Sequence, residues 1–405
     1  MSPFQNRKLW ALTFAHFTVD LFAGSVPLVL AVQAAPLSLT QSQVGLIALA
    51  FSLATSLAQP LFGLLADRKH APLLAFAGVM WQAIFIGLSG FAGRFETLLA
   101  LVAVGGLGSA AFHPPGAGSV PRVSPGQQRG ASMALFLLGG NGGYALGPLM
   151  AGLFFNRLGP TGTLPLTLGA VAVSPVLFIL LNRLRQLFDA PLEASAAPAQ
   201  PQTGQGKTNG SGISAAGIAS LGLLIMFRAW TSQSLSTYLP QYFVQEGLDV
   251  LYAGQVSTAL LLAAALGGFV AGSLSDRLGR HRVIVASLLL AAPLAFVLMR
   301  VSGVWIFVAA VALGFCLNAS LPLTLLIGQE IVPGRPGIMT GLTLGFTFVA
   351  GGLGTLVTGI VAEQAGLRTV LSWLPLLPLV AEVAALALAG VHNRRDHITE
   401  AAPGD

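Results

Sequence analysis

Charged residues are scarce in this 405-residue chain: Lys, Arg, Asp and Glu make up 8% of it, against about 25% in a soluble globular domain. Too few polar side chains remain to cover a soluble fold of this size. Cysteine is almost missing. A single residue, Cys316, excludes a disulfide framework and a multi-cysteine zinc site. Basic tracts are missing as well. The net charge of +6 is spread thinly, and outside short loops no run exceeds Arg394-Arg395, so nucleic acid is not an expected partner. No Gly-x-x-x-x-Gly-Lys-Ser/Thr phosphate loop and no His-Glu-x-x-His pair occurs. No cofactor is therefore expected, and any uphill work has to draw on a gradient rather than on bound ATP. What the chain has in abundance is apolar: 54% is hydrophobic before its 49 glycines are counted. Disorder is excluded, because disordered chains are poor in such residues. With 24 prolines added, the composition is that of a polytopic membrane protein.

A bilayer-spanning helix needs roughly 20 predominantly apolar residues. Twelve stretches qualify: 9–34, 43–66, 72–92, 96–120, 130–156, 163–186, 214–244, 253–274, 283–301, 304–328, 337–362 and 369–391. Charge and Gly/Pro clusters separate them, as at Asp67-Arg68-Lys69 and Pro333-Gly334-Arg335-Pro336-Gly337. The first stretch ends in Ala31-Val32-Gln33-Ala34-Ala35, which resembles a signal-peptidase site. A signal peptide's apolar core is about 7–15 residues, with no place for His16 and Asp20, so this stretch is expected to be a retained helix.

Orientation follows from Lys and Arg. With the N-terminus in the cytoplasm, fifteen of the twenty basic residues fall inside, four (Arg94, Arg157, Arg300, Arg368) fall outside, and Arg228 lies within a span. Both termini are expected in the cytoplasm of a cell whose inner membrane the chain crosses. The lipid bilayer is then its constant partner.

The chain also repeats itself. Gly63-Leu64-Leu65-Ala66-Asp67-Arg68 recurs as Gly272-Ser273-Leu274-Ser275-Asp276-Arg277 at an offset of 209 residues. The same offset pairs Gly45 with Gly254, Gly105 with Gly314, and Gly142-Gly143 with Gly351-Gly352. Segment 188–212 is rich in Ala, Pro, Gln, Gly, Ser and Thr and reads as a linker. The expected plan is an all-α membrane protein with an N-terminal six-helix bundle (1–187), a cytoplasmic linker (188–212), a C-terminal six-helix bundle (213–393) and a cytoplasmic tail (394–405). Paired bundles of this kind suit a rocking transporter.

Gly272-x-Leu274-x-Asp276-Arg277-x-Gly279-Arg280-x-Arg282 resembles the signature loop of the major facilitator superfamily. Its copy after the second span keeps Gly63, Asp67 and Arg68 but has Lys69-His70-Ala71-Pro72 where Gly-Arg-Arg is usual. Gly143-x-x-x-Gly147-Pro148-x-x-x-Gly152 resembles that superfamily's antiporter motif, with Ala151 replacing one glycine. Four further segments are similar to the fosmidomycin resistance protein family of drug exporters. They are His16-Phe17-x-x-Asp20, Gly106-x-Gly108-Ser109-x-x-Phe112-His113-Pro114, Gly139-Gly140-Asn141-x-Gly143, and Gln329-Glu330-x-x-Pro333-Gly334-Arg335-x-Gly337. The resemblance implies a twelve-helix, monomeric transporter with two pseudo-symmetric bundles. It also implies that Asp67, Arg68, Asp276, Arg277, Arg280, Gly147 and Pro148 serve the conformational gate. Asp276 would face the start of the fifth helix near Gly130, and Asp67 the start of the eleventh near Gly337.

Ionisable groups inside hydrocarbon are costly, and each is a functional candidate. On the first helix Thr13, His16, Asp20, Gly24 and Pro27 share one face, with His16 and Asp20 one turn apart. Burial and a protonated imidazole act on such a carboxylate in opposite senses, which can set a proton site near working pH. The same pair can equally serve to pack the first helix against the fifth. His113 precedes Pro114-Pro115, which remove backbone donors and are expected to bend or unwind the helix there. It either titrates or only satisfies a freed carbonyl. Arg228 lies in the seventh span, followed by Thr231, Ser234, Tyr238 and Gln241 at helical spacing. It suits an anionic, phosphonate-like substrate, a counter-ion role toward Asp20, or snorkelling to the interface. The expected proton-coupling residues are Asp20, His16, His113 and Glu330. The expected substrate contacts are His113, Arg228, Asn141, Tyr238 and Gln241. No metal site and no catalytic residue is expected. The whole implies a transporter exporting a small molecule in exchange for protons. A nutrient importer or uniporter of the same fold, and an intramembrane enzyme built on His16, Asp20 and His113, are the alternatives.

Overall fold

The computed structural model describes residues 3–66, 71–124, 126–184, 215–330 and 336–400. Asp67, Arg68 and the linker 188–212 lie outside the described residues. Those described are helical nearly throughout, with no strand among them. In chain order the α-helices are α1 (Arg7–Ala34), α2 (Gln41–Leu57), α3 (Gln59–Ala66), α4 (Ala71–Ser89), α5 (Phe95–Val123), α6 (Arg129–Leu158) and α7 (Thr163–Asn182). After them come α8 (Ala215–Gln245), α9 (Val250–Leu278), α10 (Arg280–Leu298), α11 (Val304–Glu330), α12 (Pro336–Ala365), α13 (Leu367–Trp373) and α14 (Leu376–Glu400).

Eleven helical stretches among the described residues are long and apolar enough to cross a membrane. One of these covers Arg129–Asn182, 54 residues, or about 80 Å at the α-helical rise. That is more than twice the hydrocarbon thickness of about 30 Å. It is broken at Gly159, whose φ of 58° suits glycine and ends α6 before a 3-10 turn leads into α7. Its halves are therefore separate crossings, and the total among the described residues is twelve, as read from the sequence. The second span divides at Ala58, just ahead of Pro60, into α2 and α3. Prolines have less effect in α5, which runs unbroken for 29 residues through Pro114 and Pro115. The unwinding expected there does not occur. One turn later Ser119 Oγ donates to Pro115 O at 2.6 Å.

Local signals start the helices where the sequence carries them. Asn6 caps α1 by accepting from the backbone N–H groups of Lys8 and Leu9 at 3.1 and 3.2 Å. Thr40 and Gln43 form a reciprocal capping box at the start of α2.

The chain divides into two compact units, Met1–Lys207 with Pro240–Thr258, and Thr208–Leu239 with Ala259–Asp405. In the first, α1 packs most extensively against α6. Thr13, Phe17 and Leu21, four residues apart on α1, present backbone carbonyls to Gly139, Gly143 and Gly147, four apart on α6. A Cβ on any of these glycines would lie 2.6 Å or less from a carbonyl oxygen. The two helices are thus parallel and in register, at a separation only glycine permits. Leu9, Leu12, Val19, Phe112, Phe136 and Leu177 build the adjoining core. In the second unit Leu224, Ile284, Leu288, Leu323 and Ala385 fill the corresponding role. Leu138, Phe269, Trp305 and Val383 are large apolar side chains that stand exposed.

Candidate functional site

The α1–α6 contact and the neighbouring α5 bring three ionisable side chains of the first unit together. Asp20 Oδ2 lies 3.1 Å from His16 Nε2, and Asp20 Oδ1 lies 3.4 Å from His113 Nε2. His16 and Asp20 meet because they are one turn apart on α1. His113 stands 93 positions further along, on α5, and joins them only through the fold. The two imidazole rings are nearly perpendicular, 88° apart with centroids 5.2 Å from one another.

The opposite edge of each imidazole is held by backbone. His16 Nδ1 is 2.9 Å from Phe136 O, and His113 Nδ1 is 2.8 Å from Ser109 O. A carbonyl can only accept, so each Nδ1 carries the proton and donates. Each Nε2 is then left to face Asp20. Two Nε2···O gaps result, and each is a hydrogen bond only when a proton occupies it. With both filled, the triad carries two imidazolium ions and a carboxylate, a net charge of +1. Removing one proton leaves it neutral, and removing both leaves −1, with two lone pairs aimed at an anion.

The three side chains differ in enclosure. His16 is 5% exposed, stacked on Phe136 at 4.2 Å and against Phe112 at 5.5 Å. Asp20 is 15% and His113 29% exposed. The longer of the two bonds is therefore also the more accessible one. Gly140 on α6 completes the pocket wall. A Cβ there would overlap His16 Nε2 and lie 2.7 Å from Asp20 Oδ2. Phe136, Ser109, Phe112 and Gly140 had no role assigned from sequence. Three of them lie in motif segments, and Phe136 stands one turn before Gly140, so a helical reading around that glycine would have found it.

Other expected residues lie elsewhere. Asn141 is exposed on the face of α6 that carries Leu137 and Leu138, turned away from the triad. Gly147 packs against Leu21 O and Ser25 N, and Pro148 O stands against Gly254 within the same unit. Gln241 is buried, and neither atom of its amide has a hydrogen-bond partner among the described residues.

In the second unit, the α8 stripe is mostly taken up in packing. Thr231 Oγ1 donates to Phe227 O at 2.9 Å, Ser234 Oγ meets Thr358 Oγ1 at 3.0 Å, and Tyr238 Oη donates to Thr355 O at 3.2 Å. Arg228 differs. It is 2% exposed, and its Nε and Nη2 have no hydrogen-bond partner among the described residues. Glu330 ends α11 in an ion pair with Arg280, the arginine that opens α10. Asp276 and Arg277 are exposed in the last turn of α9.

Comparison with known proteins places this architecture. The family model of the Major Facilitator Superfamily matches residues 10–260 and 221–403. The chain is 30% identical to the fosmidomycin resistance protein of Escherichia coli K12 and 31% identical to the uncharacterized MFS-type transporter YfnC of Bacillus subtilis 168. Each match runs over 380 residues, covering 92% of this chain and 90% of the relative. Among solved structures, an inward-facing, occupied bacterial homolog of the human lysosomal transporter Spinster superposes with a TM-score of 0.76 at 17% identity. That match covers 96% of this chain and 98% of the other. With a family model and two near-full-length relatives in agreement, the chain belongs to the major facilitator superfamily of membrane transporters, and its likeness within it is to the fosmidomycin resistance protein family.

Proposed function

We propose that this protein is a proton-coupled secondary transporter that exports a small molecule across the bacterial inner membrane by alternating access, as a monomer with both termini in the cytoplasm. The observation that carries the reading is the buried His16–Asp20–His113 triad in α1 and α5. Three ionisable groups inside hydrocarbon are expensive, and this set accommodates two, one or no exchangeable protons without rearranging its backbone supports. Asp20 is the centre of the proton site, the carboxylate that both exchangeable protons face. His16 is fixed by its stacking and its bond to Phe136 O, and His113, the most exposed of the three, passes protons in and out. Glu330, at the end of α11 beside Arg280, is a secondary site.

Of the residues expected to touch substrate, Arg228 is the one on which the reading of its charge rests. A guanidinium without a partner in a low-dielectric interior costs several kcal/mol, and an anionic group on the substrate would offset that. The two unpartnered nitrogens, Nε and Nη2, lie on one edge of the guanidinium. That edge takes two oxygens of a carboxylate or phosphonate side by side. Gly147, Pro148, Asp67, Arg68, Asp276, Arg277 and Arg280 serve the conformational change. The name of one relative, a fosmidomycin resistance protein, is in keeping with export of a drug.

The test is Asp20→Asn in proteoliposomes. ΔpH-driven accumulation should be abolished while passive exchange of substrate remains measurable. Continued uphill transport by the variant would move the coupling proton to another residue.

A further inference from the structure

We infer that the His16–Asp20–His113 triad is also a binding site for a divalent transition-metal cation of the zinc type. Three observations point the same way. First, the donor atoms converge: one ligand atom from each residue lies within 4.8 Å of the other two. The two contacts to the carboxylate are 3.1 and 3.4 Å. Ligands about 2.0–2.1 Å from a tetrahedral zinc stand roughly 3.3 Å apart, so no pair of donors has to close by more than about 1.5 Å to admit the ion.

Second, the imidazoles are supported as metal ligands usually are. Each directs Nδ1–H to a backbone carbonyl, Phe136 O for His16 and Ser109 O for His113, at 2.9 and 2.8 Å. This fixes the tautomer that leaves the Nε2 lone pair pointing inward, and it sets the ring orientation. Neither carbonyl bond needs to change when a cation enters. Third, the donor set is selective. Two imidazole nitrogens and one carboxylate suit zinc and its neighbours among the divalent transition metals, whereas magnesium and calcium prefer oxygen. Three protein ligands leave a fourth position unfilled, and the side chain of His113, 29% exposed, puts the accessible edge of the site there.

The inference rests on the geometry of the side chains and not on proton coupling, so it is tested without a gradient. Purified full-length protein in detergent, with any affinity tag removed, is titrated with Zn2+ against a chromophoric chelator in the presence of excess Mg2+. The wild type should bind one Zn2+ that Mg2+ does not displace. His113→Gln, at the least enclosed of the three ligands, and Asp20→Asn should each weaken binding at least tenfold. His281, in α10 and outside the triad, is the control, and His281→Gln should bind as the wild type does. X-ray absorption of the zinc-loaded wild type gives a second measurement that needs no variant to fold. It should show two imidazole scatterers at about 2.0–2.1 Å. No stoichiometric Zn2+ binding by the wild type, equal binding by His113→Gln, or a spectrum without imidazole ligands would overturn the proposal.

Discussion

Gly140 offers the sharpest test of whether the triad's geometry matters, because replacing it by alanine adds one methyl group and no charge. That methyl would overlap His16 Nε2 and Cε1 and lie 2.7 Å from Asp20 Oδ2. Ordinary contact begins near 3.4 Å, so the His16–Asp20 pair has to move by about 1 Å, a displacement of the kind that overpacking forces on neighbours. The backbone cannot supply it. One residue away, Gly139 seats Thr13 O, and Gly143 and Gly147 repeat the arrangement along the helix pair. The imidazole is equally confined, between Phe136 at 4.2 Å and the bond from Nδ1 to Phe136 O. The methyl's nearest contacts are nevertheless to this imidazole, so the ring has to shift against its supports, and a 3.1 Å contact to Asp20 opened by about 1 Å is no longer a hydrogen bond.

The energies decide what the assay should show. Overpacking costs about 1–3 kcal/mol, and a lost hydrogen bond to a charged group about 1.5–3 kcal/mol. Replacing glycine in a helix returns up to about 1 kcal/mol. The net loss is a few kcal/mol, concentrated on the triad. Gly140→Ala should therefore still yield monodisperse protein and catalyse downhill exchange, but lose most ΔpH-driven accumulation in proteoliposomes. Gly142→Ala is the matched control, since a Cβ there would meet only Phe17 Cδ2, at 4.0 Å. A Gly140→Ala protein that accumulates substrate as well as the Gly142→Ala protein would refute the reasoning, because the missing Cβ would then have no bearing on coupling.

Two further outcomes follow from the second unit. Arg228→Gln should weaken binding of phosphonate-like ligands at least tenfold, the loss of one charge-assisted bidentate contact, while leaving neutral hydrophobic ligands within twofold. Equal losses for both ligand types would make Arg228 a structural residue. If Asp276 serves the conformational change as proposed, Asp276→Asn should raise the cytoplasmic labelling rate of cysteines introduced into the cavity, since losing a contact of about 0.3–1 kcal/mol shifts a balanced two-state carrier severalfold. Asp67→Asn, in the degraded copy of the loop, should act more weakly, and unchanged rates in both variants would remove these carboxylates from the conformational change.

The sequence displays its fold far more openly than its site, and the difference has a physical cause. Membrane crossings are written locally, as about 20 apolar residues in a row, and all twelve were countable without knowing any tertiary contact. Even the break between α6 and α7 was visible, at Gly159-Pro160. Two of the triad's three members were legible as a pair for the same reason, since His16 and Asp20 are neighbours on one turn of one helix. His113 was grouped with His16 and Asp20 as a candidate, but its contact with Asp20 was not legible, because the 92 residues between them include two other membrane crossings before α5. Glu330 shows how little composition says about enclosure. An acid at the end of an apolar stretch resembles a buried proton carrier, yet in the structure its side chain is 55% exposed and paired with Arg280. What distinguishes it from Asp20 is enclosure: Asp20 is 15% exposed and set between two imidazoles. Enclosure is decided by which glycines let α1 and α6 approach. The Gly139, Gly143 and Gly147 spacing was present in the sequence, but a stripe of small residues names no partner helix. Only the opposing carbonyls of Thr13, Phe17 and Leu21 turn that stripe into a contact, and that contact presses Gly140 against His16 and Asp20.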